Sequence, residues 1–208
     1  MSSLIFDFDG TIADSFDVAE GIFYALTGHD PVTDPEEVAH LRTLPLLKAA
    51  REMRISPTQL PRLLIKGRAL MHQRIAKVKV FPGMSEVLHT LHRNHDIFIM
   101  SSNSKPNVES FVQENRLGDC FDEIYGGIGL FSKARALRRV IRHNKLDPDN
   151  CFYIGDEVRD VNAAKRASVR GVGVAWGYND VLALKKEKPF AVVANPEDLL
   201  TIFLGTDK

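Results

Sequence analysis

The chain has 208 residues, 44% of them hydrophobic and 26% charged, which is typical of one globular domain. Basic and acidic residues balance at 27 each, so no overall charge favours nucleic-acid or membrane partners. No apolar stretch approaches the roughly 18 residues of a membrane span, and no basic segment precedes the first apolar run. Cys120 and Cys151 lie far apart and form no metal-binding spacing. We therefore predict a cytoplasmic protein with reduced thiols.

Predicted strands alternate with predicted helices along most of the chain. Apolar runs rich in β-forming residues predict strands at residues 4–8, 96–100, 151–154, 169–174 and 190–194, with a shorter one at 122–125. Helical patterns occupy residues 83–94, 105–115, 133–144 and 158–168. Near-continuous apolar strands alternating with helices predict a doubly wound, Rossmann-like α/β fold, whose parallel sheet is covered on both faces.

Residues 16–79 interrupt this alternation. They contain no convincing strand and are predicted to form several helices, which prolines are expected to end (Pro31, Pro35, Pro45, Pro57 and Pro61). We predict an α/β core of residues 1–15 and 80–208, with residues 16–79 as a helical cap inserted after the first strand. Between residues 38 and 80, ten Lys and Arg face one acid, Glu52. This excess suits a solvated helical face, or one or two cations that reach a second anionic group on a substrate.

Two carboxylates, Asp7 and Asp9, end the first apolar run. Alternate residues of a strand project to the same side, so these two would repel each other unless a cation or a proton lay between them. Gly10 and Thr11 follow with a tight turn and a hydroxyl. Such a costly arrangement predicts a site that binds Mg²⁺ and acts on phosphate.

Three further polar signals stand at predicted element boundaries. Ser102 and Asn103 follow the strand at 96–100, Lys133 begins a helical pattern, and Asp156 and Asp160 follow the strand at 151–154. Taken alone, a turn, a helix cap or a solvated lysine explains each signal. A doubly wound sheet, however, gathers its strand ends at one crevice. There the four signals would supply a nucleophile, phosphate donors and Mg²⁺ ligands.

In this order the four motifs resemble those of the haloacid dehalogenase superfamily, and within it the phosphoglycolate phosphatase-like branch. Residues 6–15 are similar to the first motif, residues 99–104 to the second, Lys133 to the third and residues 153–160 to the fourth. The resemblance covers nearly the whole chain. Phe81-Pro82-Gly83 resembles the return from a helical cap to the core.

The resemblance implies a role for each polar residue in the motifs. Asp7 would attack phosphorus and form an aspartyl-phosphate, and Asp9 would protonate the leaving oxygen and then activate water. Ser102 and Lys133 would hold the phosphate oxygens. Asn103 is a weaker candidate for a phosphate contact, as is the backbone N–H of Gly10.

The resemblance also implies a cofactor and a substrate-contacting cap residue. Mg²⁺ would be held by Asp7, Asp156 and the backbone carbonyl of Asp9, with Asp160 acting from behind these ligands. Arg42 lies in the predicted cap at a boundary stretch where such caps contact substrate, so we expect it to bind a second anion.

The function that this resemblance implies is hydrolysis of a small phosphorylated metabolite by a Mg²⁺-dependent phosphatase. Founding dehalogenases lack the second aspartate, so Asp9 favours an alkoxide leaving group. A phosphosugar mutase resembling β-phosphoglucomutase remains open, as does a non-catalytic regulatory protein on the same core. The sequence names no substrate, and a monomer or a homodimer fits it equally well.

Overall fold

A computed structural model describes residues 1–44, 46–56, 58–129 and 132–205 of the chain. Two of the predicted helix stops, Pro45 and Pro57, lie outside these residues. Residues 130 and 131, which precede Lys133, also lie outside them.

Six parallel strands form the central sheet. In chain order these are β1 (Ser3–Phe6), β4 (Asp96–Met100), β5 (Glu123–Tyr125), β6 (Cys151–Gly155), β7 (Arg170–Val174) and β8 (Ala191–Val193). Their order across the sheet is β5-β4-β1-β6-β7-β8. The chain builds outward from β1 to β5, then returns to β6 on the other side of β1. A crevice for ligands is expected where the winding changes direction, at the carboxyl end of β1.

Strand β1 lies at the centre of the sheet and is buried along its whole length. Its last residue, Phe6, is in register with Ile99 of β4 and Ile154 of β6. Leu4 and Phe6 belong to the hydrophobic core on one face, whereas Ile5 belongs to the core on the other. An apolar strand with both faces covered explains why residues 4–6 read as an unbroken hydrophobic run.

Helices cover both faces of the sheet. They are α5 (Met84–His92), α6 (Lys105–Glu114), α7 (Lys133–His143), α8 (Val158–Ala167), α9 (Val181–Lys186) and α10 (Asp198–Leu204). Apolar residues of α5, α6 and α10 pack on the face of Leu4, and those of α7 and α8 pack on the face of Ile5. The predicted doubly wound fold is confirmed. Sequence patterns missed α9 and α10, which are only 6 and 7 residues long.

In the described part of the chain, four α-helices follow the first strand, where the sequence predicts several. They are α1 (Phe16–Thr27), α2 (Pro35–Thr43), α3 (Leu46–Glu52) and α4 (Leu60–Arg74). A two-stranded antiparallel ladder joins the ends of this helical insert, pairing β2 (Ala13–Asp14) with β3 (Lys79–Val80). The exact division into core and cap stays a prediction.

Two prolines begin helices of the insert, contrary to the expectation that they end them. Pro35 is the first residue of α2, and Pro61 lies in the first turn of α4. A proline at that position sacrifices no helical hydrogen bond, because the first N–H groups of a helix have no partner within it.

Within the described residues, no helix is both long and apolar enough to cross a bilayer. Cys120 and Cys151 are buried free thiols.

Candidate active site

Asp7 directly follows β1 and is buried at the carboxyl edge of the sheet. Its backbone N–H donates to the carbonyl of Ile154 at 2.8 Å, which continues the β1–β6 ladder by one residue. The Lys133 ammonium donates to Asp7 Oδ2 at 2.5 Å, and both side chains are almost fully buried. A carboxylate that a lysine orients in this position can act as a nucleophile.

Lys133, the first residue of α7, also forms an ion pair with Asp160. Asp160 lies in the first turn of α8, where its Oδ2 accepts the N–H of Glu157 at 3.1 Å and its Oδ1 accepts the hydroxyl of Tyr153 at 3.3 Å. Both oxygens of Asp160 are therefore engaged by protein donors. Asp160 is thus suited to holding Lys133 in place rather than binding an ion directly.

Asp156 follows β6 and is held from two sides. Its Oδ1 accepts the hydroxyl of Thr11 at 2.9 Å, and its Oδ2 accepts the N–H of Tyr178 at 2.8 Å. Two glycines allow this close packing. A Cβ on Gly10 would lie 2.2 Å from Asp156 Oδ2, and a Cβ on Gly177 would lie 2.2 Å from Asp156 Cβ. The backbone around Asp156 therefore leaves no room for side chains at these positions.

Three buried carboxylates converge at this edge of the sheet. One oxygen each of Asp7, Asp156 and Asp160 lies within 4.8 Å of the others. Burial raises the pKa of Asp7 to about 7, although Lys133 opposes the rise. Burial also raises the pKa of Asp156 well above its ordinary value, and nearby carboxylates add to that effect. Crowded carboxylates with raised pKa values and oxygen ligands suit a hard divalent cation such as Mg²⁺.

The expectation that Asp7 and Asp9 project to the same side assumed a strand that runs through residue 8. Strand β1 ends at Phe6, so strict alternation no longer applies at residue 9. The chain turns instead, with the N–H groups of residues 11–13 all donating to the carbonyl of Phe8. The acids that crowd Asp7 are Asp156 and Asp160.

Asn103 faces the Asp9 carboxylate, and its Nδ2 lies 3.4 and 3.3 Å from the two oxygens. Burial raises the pKa of Asp9, while hydrogen bonds from Ser15 and Asn103 oppose the rise. A raised pKa suits a carboxyl group that must hold a proton and then release it.

Ser102 presents a hydroxyl without a partner. Its Oγ is buried, and it has no hydrogen bond to any residue that the structure describes. Ser102, Asn103 and Asp9 line a cavity of about 410 Å³ that extends among the helices of the insert. A buried hydroxyl without a partner is costly unless a ligand accepts its proton. This buried hydroxyl without a described partner makes Ser102 a candidate donor to a phosphate oxygen.

Arg42 lines the same cavity, but its guanidinium is already engaged. Nε donates to the carbonyl of Tyr178 at 3.0 Å, and Nη2 donates to the carbonyl of Gly177. These bonds tie the end of α2 to the loop beside Asp156. The role of Arg42 in substrate binding stays a prediction.

Sequence analysis missed Arg159 as a candidate site residue. Arg159 lies between Asp156 and Asp160 in the sequence, and its side chain lines the cavity. Its Nη2 is paired with Glu157. Its Nε and Nη1 are buried and find no acceptor in the described part of the chain. The position lay inside a motif that the sequence singled out, but no sequence pattern shows where a guanidinium points.

Comparisons with known proteins show which proteins this chain is similar to. The haloacid dehalogenase-like hydrolase family profile matches residues 4–174. A phosphoglycolate phosphatase of Synechococcus elongatus is 35% identical over 204 residues, which cover 96% of each chain. Phosphoglycolate phosphatase 1 of Pseudomonas aeruginosa is 32% identical over 129 residues, which span 60% of this chain and 47% of that relative.

The chain belongs to the haloacid dehalogenase-like hydrolase family. The solved structure of a family hydrolase from Streptococcus pneumoniae has the same fold, with a TM-score of 0.80 at 20% identity and 98% coverage of both chains. The family resemblance that the four motifs predicted is confirmed.

The glycine at position 10 generates the first prediction. Gly10→Ala should weaken Mg²⁺ binding at least about tenfold, because its Cβ would displace Asp156. Gly28→Ala is the matched control, since Gly28 has a similar φ (71° against 77°) but open space around its Cβ. It should lose about 1 kcal/mol of stability and keep its Mg²⁺ affinity. Calorimetric titration and urea unfolding measure both; equal Mg²⁺ affinities would contradict this account.

A second prediction concerns pH. Without a cation, the raised pKa values of Asp7 and Asp156 favour their protonated forms, so Mg²⁺ must displace protons to bind. Affinity should therefore rise with pH, by at least about tenfold between about pH 6 and about pH 8. Calorimetry in buffers of different ionisation enthalpy measures both the affinity and the protons released. An affinity independent of pH would show that the acids are already ionised.

Proposed function

We propose that the protein is a Mg²⁺-dependent phosphatase that hydrolyses a small phosphorylated metabolite through an aspartyl-phosphate at Asp7. The observation that carries this proposal is the buried contact between Asp7 and Lys133, within a cluster of acids. The buried hydroxyl of Ser102, which has no partner among the described residues, is the proposed second phosphate donor. A nucleophile, two phosphate donors and a cation site are what phosphoryl transfer needs.

In the first step, Asp7 attacks phosphorus while Lys133 and Ser102 hold the phosphate oxygens. Asp9 carries the proton that the leaving alkoxide needs, which its raised pKa favours. In the second step, Asp9 removes a proton from water, which attacks the aspartyl-phosphate and releases inorganic phosphate. The amide of Asn103 is a supporting phosphate contact. The backbone N–H of Gly10, which the sequence also suggested, already donates to the carbonyl of Ala13 at 2.9 Å and is therefore not proposed as a contact.

The acids Asp7 and Asp156, with the backbone carbonyl of Asp9, are the proposed ligands of Mg²⁺. When bound, Mg²⁺ would offset the negative charge that the phosphate brings to this acidic edge. Asp160 supports the site by orienting Lys133. The buried oxygens and raised pKa values support this cation, since crowded carboxylates are costly without one.

Phosphoglycolate is the first substrate to test, because the Synechococcus elongatus relative of similar length is a phosphoglycolate phosphatase. It carries a carboxylate beyond the phosphate, and this group needs a cation. Arg159 is better placed than Arg42 to provide it, since two of its buried nitrogens have no described partner while Arg42 donates to two backbone carbonyls.

The nucleophile assignment predicts that Asp7→Asn lowers phosphate release at least about 10³-fold, because an amide is a poor nucleophile. A panel of phosphorylated metabolites that includes phosphoglycolate, assayed with and without Mg²⁺, gives the measurement. Asp198→Asn is a control variant on α10, far from the site in the sequence, and should keep full activity. Phosphate release by Asp7→Asn at the wild-type rate would remove Asp7 from its role. If the wild-type protein isomerised a sugar phosphate without releasing inorganic phosphate, the result would indicate a mutase instead.

The carboxylate assignment predicts that Arg159→Met reduces kcat/KM for phosphoglycolate about 10- to 100-fold, the effect of one charged hydrogen bond. For 2-hydroxyethyl phosphate, which lacks the carboxylate, kcat/KM should change less than about threefold. Arg42→Met is measured in parallel, and Arg142→Met on the exposed surface of α7 is the control. Equal losses on both esters would show that Arg159 acts on the phosphoryl group or on folding, and a selective loss in Arg42→Met would return the role to Arg42.

A further inference from the structure

A line of hydrogen-bonded side chains runs from helix α4 of the insert to Asp9. His72 Nδ1 lies 2.6 Å from Asn107 Oδ1, Asn107 Nδ2 lies 2.8 Å from Asn103 Oδ1, and Asn103 Nδ2 faces the Asp9 carboxylate. The four residues come from α4, α6 and the segments that follow β4 and β1. None of the four sequence motifs includes His72 or Asn107.

The partners along this line fix which way each amide points. Asn107 Nδ2 faces two oxygens, Asn103 Oδ1 and the backbone carbonyl of Arg68 at 3.3 Å, so the NH₂ group of Asn107 must point there. Its Oδ1 then accepts from His72, which must carry a proton on Nδ1.

The same reasoning orients Asn103. Its Oδ1 accepts from Asn107 and from the backbone N–H of Ser104 at 2.9 Å, so its NH₂ group is the end that faces Asp9. If Asn103 turned over, an amide oxygen would face the carboxyl oxygens of Asp9.

Asn107 links helix α4 of the insert to Asn103. Only 1% of the surface of Asn107 is exposed. Its side chain forms hydrogen bonds with residues of α4 on one side and with Asn103 on the other. The last contact of the line is the weakest, because 3.3–3.4 Å is near the outer limit of a hydrogen bond. Ser15 also donates a hydrogen bond to Asp9, so Asn103 is one of two groups that hold this carboxyl group.

We propose that Asn107 and His72 are positioning residues, which transmit the placement of helix α4 through Asn103 to Asp9. When α4 is seated on α6, the amide of Asn103 is held with its donor toward Asp9, and the carboxyl group is aimed at the leaving oxygen. This inference rests on the proposed role of Asp9 as the proton donor.

Leaving groups of different basicity test this inference. An alkoxide needs a proton from Asp9 as it departs, whereas 4-nitrophenolate leaves without one. The parameter to compare is kcat/KM, because it includes no step after the leaving group has departed. The two substrates are 2-hydroxyethyl phosphate and 4-nitrophenyl phosphate.

The main variant is Asn107→Asp, which keeps the shape of the side chain but removes its NH₂ donor. It should lower kcat/KM for the alkyl ester about 10- to 100-fold, and for the aryl ester less than about threefold. His72→Ala, at an exposed position of α4, should show the same selectivity with a smaller loss. Asn115→Asp, at the other end of α6, is the matched control and should lower neither value.

Equal losses on the two esters, or no loss on either, in both Asn107→Asp and His72→Ala would overturn the inference. Asp9→Asn separates this failure from a failure of the proposed function. If Asp9→Asn is selective for the alkyl ester while the Asn107 and His72 variants are not, Asp9 keeps its role and the positioning line is wrong. If Asp9→Asn itself shows no selectivity, the proposed proton donor is wrong and the inference falls with it.

Discussion

The structure of this site depends on one buried electrostatic contact, between the ammonium of Lys133 and the carboxylates of Asp7 and Asp160. Burial by itself lowers the pKa of Lys133, but the two carboxylates outweigh burial and keep it above its ordinary value. The lysine is therefore a permanent cation. Removing ions from water is costly unless each is paired with good geometry, and here helices α7 and α8 supply the geometry.

One ammonium cannot neutralise all the acids around it. Asp156 joins Asp7 and Asp160 in the same buried cluster, and the groups that donate hydrogen bonds to it are neutral, the Thr11 hydroxyl and the Tyr178 N–H. The site therefore holds either an excess of negative charge, which a divalent cation could offset, or bound protons, which the cation could displace. An acidic site of this kind would repel a phosphate, so binding an anionic substrate and binding a cation are physically linked.

The same crowding dictates the backbone around the cluster. The turn after Asp9 needs a residue that adopts positive φ and has no side chain, because Asp156 occupies the space where a Cβ would stand. Gly155 meets a similar limit, since its Cβ would lie 2.6 Å from Asp160 Oδ2. These glycines are required at the site because they have no side chain that would clash with the carboxylates.

The sequence by itself determined the fold class and the order of the motifs, because strand and helix periodicities are local properties of the chain. Asp7, Ser102, Lys133 and Asp156 could be named because each ends a strand or begins a helix, and a doubly wound sheet brings such ends together. Only the tertiary structure decided which acids share a cluster, because β1 ends before Asp9 and the turn directs its carboxylate to Asn103. Only the tertiary structure joined His72 to Asn107, since hydrogen bonds between distant segments depend on side-chain directions that no local pattern encodes.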